Sequence, residues 1–436
     1  MPRDQVLLIE GGRELVGRIC ISGSKNASLP IMAACLLTKA PVRLENVPDV
    51  ADTQVMGEIL SSLGCRLRTH PAGGLEVSAV EITEPDVPDE LGRRMRASVV
   101  LLGALLARTG RARLPRPGGD EIGLRRVEQH IRGLRQMGAR VVESDGYFSA
   151  TAARLHGARI ILDLPTVTGT ENLMMAAVLA EGRTEILNAA REPHVQDLAV
   201  FLAKLGARVY GAGTDELVVE GVERLGGCDH RVIPDYLEAG TYAMAVAAAG
   251  GEAVLECSPP QDLTTVLLKL QLAGAEVEAG MDSIRVRRSR RRRLQPVDLT
   301  TWVHPGFPTD LQAQYLAMMT QAHGESVISE YIFENRFQHV PELMRMGARI
   351  SVDGRTATVH GPSLLHGTDA VIPDIRSGAA LVIAALCARG TTELHQAWHV
   401  DRGYHDLVGK LTALGARVRP ARARARRGRP GSGTYE

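Results

Sequence analysis

The sequence predicts an α/β protein of two domains, each built from three copies of one βαβαββ-type unit, with apolar helices inside and sheets outside. Two observations carry this reading. A short phrase recurs six times along the 436 residues: Leu, Met or Ala, then Gly, then Ala or Cys, one further residue and an aliphatic. Its glycines are Gly64, Gly138, Gly206, Gly274, Gly347 and Gly415, 68 to 74 residues apart, a period that marks one folding unit used repeatedly. The second observation is a stretch in every unit that is apolar on all sides of a helix, the pattern of a fully buried element.

The elements of the unit follow in order. The buried helices are expected at 29–37, 97–107, 172–180, 241–249, 311–322 and 378–388, rich in alanine and leucine. A strand follows each: 42–47, 112–115, 184–188, 253–257, 326–332 and 391–395. Next comes an amphipathic helix, as in 195–205, where apolar residues recur at spacings of three and four. The phrase glycine then ends that helix, because glycine enters the left-handed conformation without a steric penalty, and an alternating strand such as 207–210 resumes. Strands at 6–9 and 17–22 precede the first unit, and they are expected to complete the last unit of the other domain.

A chain of this length exceeds what one core normally holds. The expected division is 25–233 for one domain and 1–24 plus 234–420 for the other, with a crossing near Arg231–Pro234 and a disordered basic tail at 421–436. Charge mostly excludes partners: 51 Lys and Arg stand against 50 Asp and Glu, so no global field favours nucleic acid or an anionic membrane. Six scattered cysteines without a CxxC pair predict a reducing compartment and no zinc site. With no signal peptide and no apolar run of membrane-spanning length, a cytoplasmic protein is expected. The arginine runs 287–293 and 417–429 read as solvated surface.

Chemistry is sought where the copies differ. One such place is the start of each buried helix, where Lys25, Arg96, Asp310 and Arg376 fall. Charges there are costly unless partnered, and helix N-termini already favour anions. Three cations brought together would make a pocket for a polyanionic small molecule, with Asp310 as the candidate proton acceptor. The second place is the loop after the first strand. In the second copy it expands to 115–126, with Gly118 and Gly119 before Asp120 and Gly123 after it, a flap carrying an acid at its tip and Arg125 at the next helix start. Copies five and six place Phe333-Glu334-Asn335-Arg336 and Asp401-Arg402-Gly403-Tyr404 at the corresponding position.

These residues coincide with long motifs: Ile21-Ser22-Gly23-Ser24-Lys25-Asn26-Ala27, Met95-Arg96-Ala97-Ser98, Pro117-Gly118-Gly119, Asn188-Ala189-Ala190-Arg191-Glu192-Pro193, Gly211-Ala212-Gly213-Thr214-Asp215, Phe307-Pro308-Thr309-Asp310, Phe333-Glu334-Asn335-Arg336-Phe337 and Asp401-Arg402-Gly403-Tyr404. Over residues 5 to 420 the chain resembles the enolpyruvyl transferases, in particular the branch whose acceptor is UDP-N-acetylglucosamine. The resemblance implies the two-domain inside-out α/β barrel and no metal or organic cofactor. It also implies two small-molecule substrates, phosphoenolpyruvate and UDP-N-acetylglucosamine, in the first committed step of peptidoglycan precursor synthesis.

The resemblance further assigns residues. Lys25 and Asn26 match the pair that meets both substrates, and Arg96 a substrate-binding arginine. Arg125 with Arg126, Val127, Glu128 and Gln129 matches the segment around uridine and diphosphate, and Thr166, Val167 and Thr168 match a backbone approach to the nucleotide. Asp310 matches the carboxylate beside the sugar 3-hydroxyl, Ile332 lines the sugar site, Arg376 and Arg402 clamp the phosphoenolpyruvate carboxylate, and Arg336 shares the cleft. The chemistry asks for two acids on opposite sides, Asp120 donating a proton to C3, as a carboxyl group can if burial raises its pKa, and Asp310 accepting one from the hydroxyl. Many relatives carry cysteine where this chain has Asp120. A carboxylate cannot form the thioether that traps epoxide inhibitors, so insensitivity to fosfomycin is expected. Ala51 and Leu164 stand where some relatives have lysine, and Arg126-Val127-Glu128 departs from the usual uridine segment. A shikimate 3-phosphate acceptor, another nucleotide acceptor, and a silent paralogue that only binds UDP-N-acetylglucosamine therefore remain alternatives.

Overall fold

The computed structural model describes residues 5–70 and 74–422. Six sheets surround two bundles of buried helices. The buried helices are Lys25–Ala34 with a 3-10 turn Cys35–Leu37, a 3-10 turn Arg96–Val100 leading into Leu101–Thr109, Val167–Ala177, Tyr236–Ala249, a 3-10 turn Thr309–Leu311 leading into Gln312–Met319, and Ile375–Cys387. In Tyr236–Ala249 every residue is buried. Such a helix has no face to offer water and must be covered on all sides. Where two of these helices touch, a side chain would not fit: a Cβ on Gly103 would lie 2.2 Å from the Asn172 carbonyl oxygen.

Each buried helix leads into a strand: Val42–Glu45, Arg111–Pro115, Arg183–Leu187, Gly251–Glu256, Gly324–Ser329 and Thr391–His395. The half-buried helices Ala51–Ser62, Glu128–Gln136, Pro193–Lys204, Thr264–Leu272, Val340–Arg345 and Leu407–Ala413 follow. All six phrase glycines have left-handed φ between 84° and 103°, as a helix terminator requires. The strand after each glycine folds back beside the next one, as Arg208–Tyr210 and Glu216–Glu220 do. Five sheets have four strands and the sheet of the second unit has three.

The apolar side chains separate into two cores. One draws on residues between Ala27 and Val232. The other joins Leu7–Ile21 to residues from Tyr236 to Val418. The chain therefore passes between the cores twice, and the two passages lie side by side. Ser24 N–H donates to the Ile233 carbonyl at 2.8 Å and Asp235 N–H to the Ser22 carbonyl at 2.8 Å. The cap of helix Tyr236–Ala249 extends the link, since Asp235 accepts from Leu237 N at 2.9 Å and from Lys25 N at 3.4 Å. The first strands do not stay together. Gln5–Glu10 lies between Thr391–His395 and Arg417–Arg422 of the last unit, as expected, but Leu15–Cys20 pairs in parallel with Gly251–Glu256 of the fourth unit. It takes the place that a strand preceding that unit's buried helix would hold, because the chain before Tyr236 belongs to the other core.

Three expectations need correction. The residues 417–422 open the presumed basic tail but form a strand, so Ala421 and Arg422 are part of the fold; residues 423–436 lie outside the described residues. The run 287–293 is not wholly solvated. Arg288 is 8% exposed, and its guanidinium donates to the Ala248 carbonyl at 2.9 Å and to that of Ala247. Arg290 Nε reaches the Ala249 carbonyl at 2.7 Å. Together they satisfy the carbonyls that helix Tyr236–Ala249 leaves unpaired at its C-terminus. Finally, Cys20 and Cys257, at the ends of two adjacent parallel strands, are joined as a disulfide, which scattered cysteines did not suggest.

Replacing Arg288 by Ala should cost about 2 kcal/mol, because it orphans two buried carbonyls. Arg291→Ala, on the exposed part of the run, should stay within about 0.5 kcal/mol. Thermal unfolding of the two variants side by side checks this, and equal losses would restore the solvated reading of the whole run.

Candidate active site

Between the two cores the charged helix starts and loops converge on three carboxylates, Asp52, Asp120 and Asp310. Lys25 begins its helix, with Ser24 capping through a hydrogen bond from Ala27 N at 3.3 Å. Its ammonium lies 3.3 Å from Asp52 Oδ2. The other oxygen of Asp52 accepts from Arg402 Nε at 3.1 Å, and Arg402 Nη1 lies 2.6 Å from Asp120 Oδ1. Arg402 belongs to the core that contains 236–418, and both acids it holds come from the facing side. On that same arginine-bearing side, Asp310 accepts from Arg336 at 2.5 Å and Arg376 at 3.3 Å. Both arginine side chains are almost completely buried, whereas that of Asp310 is 29% exposed. Among the described residues Arg376 Nη1 and Arg336 Nε have no hydrogen-bond partner. Buried donors of this kind suit an anionic ligand.

The carboxyls respond to this field. Burial raises Asp310, but Arg376, Arg336, Lys25 and Arg125 outweigh it and hold the group well below the ordinary carboxylate range. Burial likewise raises Asp120, and Arg402, Lys25 and Arg125 prevail again, leaving it below its ordinary value. Burial alone would have raised Asp120 and is the largest single influence on it, but the cations around it, Arg402 at 2.6 Å first among them, together outweigh it. Burial and the nearby Arg125 push Arg96 down to about 10. Burial also pushes His130 down to about 3, so its ring is neutral next to Asn172 Nδ2 at 3.1 Å and Thr168 Oγ1 at 3.4 Å.

The flap that carries Asp120 is docked across the cleft. Asn335 N donates to the Ile122 carbonyl at 3.0 Å, and Asn335 Nδ2 and Gln338 Nε2 reach the Glu121 carbonyl at 3.1 and 2.6 Å. Gly119, at φ 98°, packs against Arg96, and a Cβ on Gly118 would fall 1.8 Å from the Arg93 carbonyl oxygen. Arg125 sits beneath the flap with φ 43°, its guanidinium 3.4 Å from the Asp120 carbonyl and 5.8 Å from the Phe333 ring centre. Arg336 approaches the same ring at 5.5 Å, and Arg376 lies 5.4 Å from that of Tyr404.

A sequence model described as EPSP synthase (3-phosphoshikimate 1-carboxyvinyltransferase) matches residues 9–411. The chain belongs to the EPSP synthase family. It is 52% identical over 409 residues, 94% of this chain and 96% of the relative, to a protein of Sorangium cellulosum (strain So ce56) described as UDP-N-acetylglucosamine 1-carboxyvinyltransferase. Among solved structures, the enolpyruvyl transferase NikO from Streptomyces tendae superposes with a TM-score of 0.87 at 30% identity, covering 97% of this chain and all of that one. An EPSP synthase from Acinetobacter baumannii shares the fold, with a TM-score of 0.75 at 17% identity over 96% of this chain and 100% of that one. Membership in the EPSP synthase family makes the chain an enolpyruvyl transferase with the inside-out α/β architecture. No helix among the described residues is long and apolar enough to cross a membrane.

Within that family framework, the residues singled out in the sequence fall into two groups. Lys25, Asp120, Arg125, Asp310, Arg336, Arg376 and Arg402 form one charge cluster, with Arg96 beside Arg125. Asn26 lies in the first turn of the Lys25 helix. Ile332 is at the cleft edge, its N–H donating to Glu330 Oε1 at 2.7 Å. The proposed nucleotide segment forms a second group. Arg126 and Glu128 are exposed, Val127 packs on the core, and Gln129 Oε1 accepts from Asp163 N at 2.6 Å. Thr166 caps helix Val167–Ala177 through Gly169 N at 3.3 Å, with Thr168 against His130. A groove of about 560 Å³ lined by Glu128, Gln129, Arg132 and Asp163 lies along this segment.

Sequence reasoning missed Asp52 and Glu330. Asp52 sits in the first turn of an amphipathic helix, where an acid ordinarily reads as a partner of the helix dipole. Its pairing with Lys25 and Arg402 depends on two other segments. Glu330 accepts from Thr309 Oγ1 at 2.9 Å and from the Ile332 and Phe333 amides, and so ties the Asp310 turn to the Phe333–Arg336 loop.

Removing the charge of Asp310 leaves two buried arginines without their counter-ion, so Asp310→Asn should lose about 3 kcal/mol at pH 7. The folded-state pKa of Asp310 is depressed, so this stabilisation is present above roughly pH 4, the unfolded value, and fades as pH falls below it. Unfolding curves from pH 7 to pH 3 should therefore converge for wild type and variant at the acid end. A constant gap would refute the ion-pair account.

Proposed function

We propose that this enzyme transfers the enolpyruvyl group of phosphoenolpyruvate to the 3-hydroxyl of UDP-N-acetylglucosamine and releases phosphate, the first committed step of peptidoglycan precursor synthesis. The observation that carries the reading is the pair of carboxylates, Asp120 and Asp310, each held by arginine from the 236–418 core and both within the field of Lys25 and Arg125. The acceptor is supported by the Sorangium relative, whose description names that substrate.

The chemistry asks for two acids and several cations. Asp310, ionised, takes the proton of the sugar hydroxyl as its oxygen attacks C2, while Asp120 delivers a proton to C3, giving a tetrahedral adduct. The carbon–oxygen bond to phosphate then breaks and C3 returns its proton to Asp120. Lys25, Arg376 and Arg402 bind the charges of phosphoenolpyruvate and those that develop on the way. Arg96 and Arg125, with Asn26 and Ile332, hold the acceptor, and Arg126, Val127, Glu128, Gln129 and Thr166–Thr168 border its nucleotide. The docked flap keeps water from the adduct. No organic cofactor or metal is needed, because phosphoenolpyruvate supplies its own leaving group.

Phosphate release from phosphoenolpyruvate should depend on UDP-N-acetylglucosamine and not on shikimate 3-phosphate, and a substrate panel decides between them. Asp310→Ala should lower kcat by at least about 100-fold; unchanged turnover would remove Asp310 as the base. Because a carboxylate forms no thioether, wild type should keep its activity after incubation with fosfomycin, while Asp120→Cys should become inactivated in a time-dependent way. Full inactivation of the wild type would contradict this.

A further inference from the structure

The proposed reaction leaves one chemical requirement open. A carboxyl group with an ordinary pKa near 4 carries almost no proton at neutral pH, and Arg402 moves Asp120 further in that direction. Yet the addition step needs a proton on this group. The geometry around Arg402 supplies a way to place it there.

Arg402 uses two different nitrogens. Its Nε is 3.1 Å from Asp52 Oδ1, and its Nη1 is 2.6 Å from Asp120 Oδ1. Asp52 is itself held by Lys25 at 3.3 Å, so the Nε contact is the anchored one. The Nη contact is with a flap residue, carried between glycines with left-handed φ at 119 and 123. All the side chains involved are at most 14% exposed, which makes each exchange of partner strong. A guanidinium pinned by Nε still offers its two Nη groups, the fork that matches a carboxylate.

We propose that Arg402 is handed from Asp120 to the incoming carboxylate of phosphoenolpyruvate while Asp52 keeps hold of Nε, and that this exchange loads Asp120 with the proton it later gives to C3. The inference rests on the reaction proposed above. On binding, Asp120 loses its nearest cation and gains an anion as neighbour. Of the other charges facing it, Lys25 and Arg125 come to be shared with substrate phosphate and diphosphate, Asp52 adds negative charge, and the ring of His399 is held neutral by burial and Arg402. Asp120 therefore takes one proton from solvent. It passes that proton to C3 during addition and recovers it during elimination, while the hydroxyl proton moves to Asp310 and leaves with phosphate. Asp52 is in this scheme a positioning residue: it orients the arginine and touches no reacting atom.

The test uses phospholactate, the saturated analogue of phosphoenolpyruvate, which has the carboxylate and phosphate but no double bond to protonate. Its binding to the full chain, saturated with UDP-N-acetylglucosamine, is followed by calorimetry in buffers of different protonation enthalpy from pH 5 to pH 8. Wild type should take up roughly half to one proton more per analogue bound than Asp120→Asn near pH 6 to 7. Asp120→Asn should bind the analogue about three- to tenfold more tightly, because Arg402 no longer has a competing carboxylate. Equal proton counts in the two proteins at every pH, with both binding, would overturn the hand-over and leave the reaction untouched. Weaker binding by Asp120→Asn would overturn it too. Failure of the wild type to bind the analogue at all would instead sink the reading of the reaction on which the hand-over stands.

Discussion

A helix with no polar face cannot lie on a protein surface, and the architecture follows from having six of them. Each must be covered by other helices within and by strands without, so the sheets are displaced to the periphery and the usual layering of an α/β domain is inverted. Packing three such helices together also brings their N-termini to one end of each bundle. Those ends carry the positive end of the helix dipole, and they are where Lys25, Asp310 and Arg376 lie, in the first turns of their helices. Burial of helices and assembly of an anion site are thus one structural event.

The cleft gathers more positive charge than its own acids neutralise. Among the described residues, Arg336 and Arg376 share Asp310, Lys25 and Arg402 share Asp52, Arg402 alone pairs with Asp120, and Arg125 and Arg96 have no carboxylate within ion-pair distance. Desolvating so many cations is unfavourable, and polyanionic substrates would relieve it. The acids prevent mutual repulsion of the arginines and orient them, at the cost of having to be displaced or shared when substrate charge arrives.

Periodicity made the fold legible. The glycine phrase located six helix ends whose left-handed φ the structure bears out, and the all-apolar stretches located the six inner helices, with the largest differences in their first turns and two or three residues at some C-terminal ends. Those first turns contain the polar residues, Lys25 to Ser28 or Tyr236 to Gly240, that composition alone assigns to loops. The clustering of Asp310 with Arg336 and Arg376 was also foreseeable, because equivalent repeat positions come together. Asp52 was not, since its meaning comes from partners 27 and 350 residues away. Neither was the work of Arg288, whose charge run looks like surface until the helix end beneath it is seen, nor the effect of Arg402 on Asp120, which is electrostatic and has no sequence pattern.

The paired passages of the chain between the two cores also order events during synthesis. Strand Gln5–Glu10 is the first described segment to leave the ribosome, yet its partners are Thr391–His395 and Arg417–Arg422, at the far end of the chain. Leu15–Cys20 waits for Gly251–Glu256. Meanwhile everything needed for the core between Ala27 and Val232 emerges in one uninterrupted stretch and can condense at once. The nascent protein therefore carries both strands unpaired until the fourth unit is made, and Gln5–Glu10 unpaired until the last. Until those partners arrive, their exposed edges are an invitation to pairing with other chains.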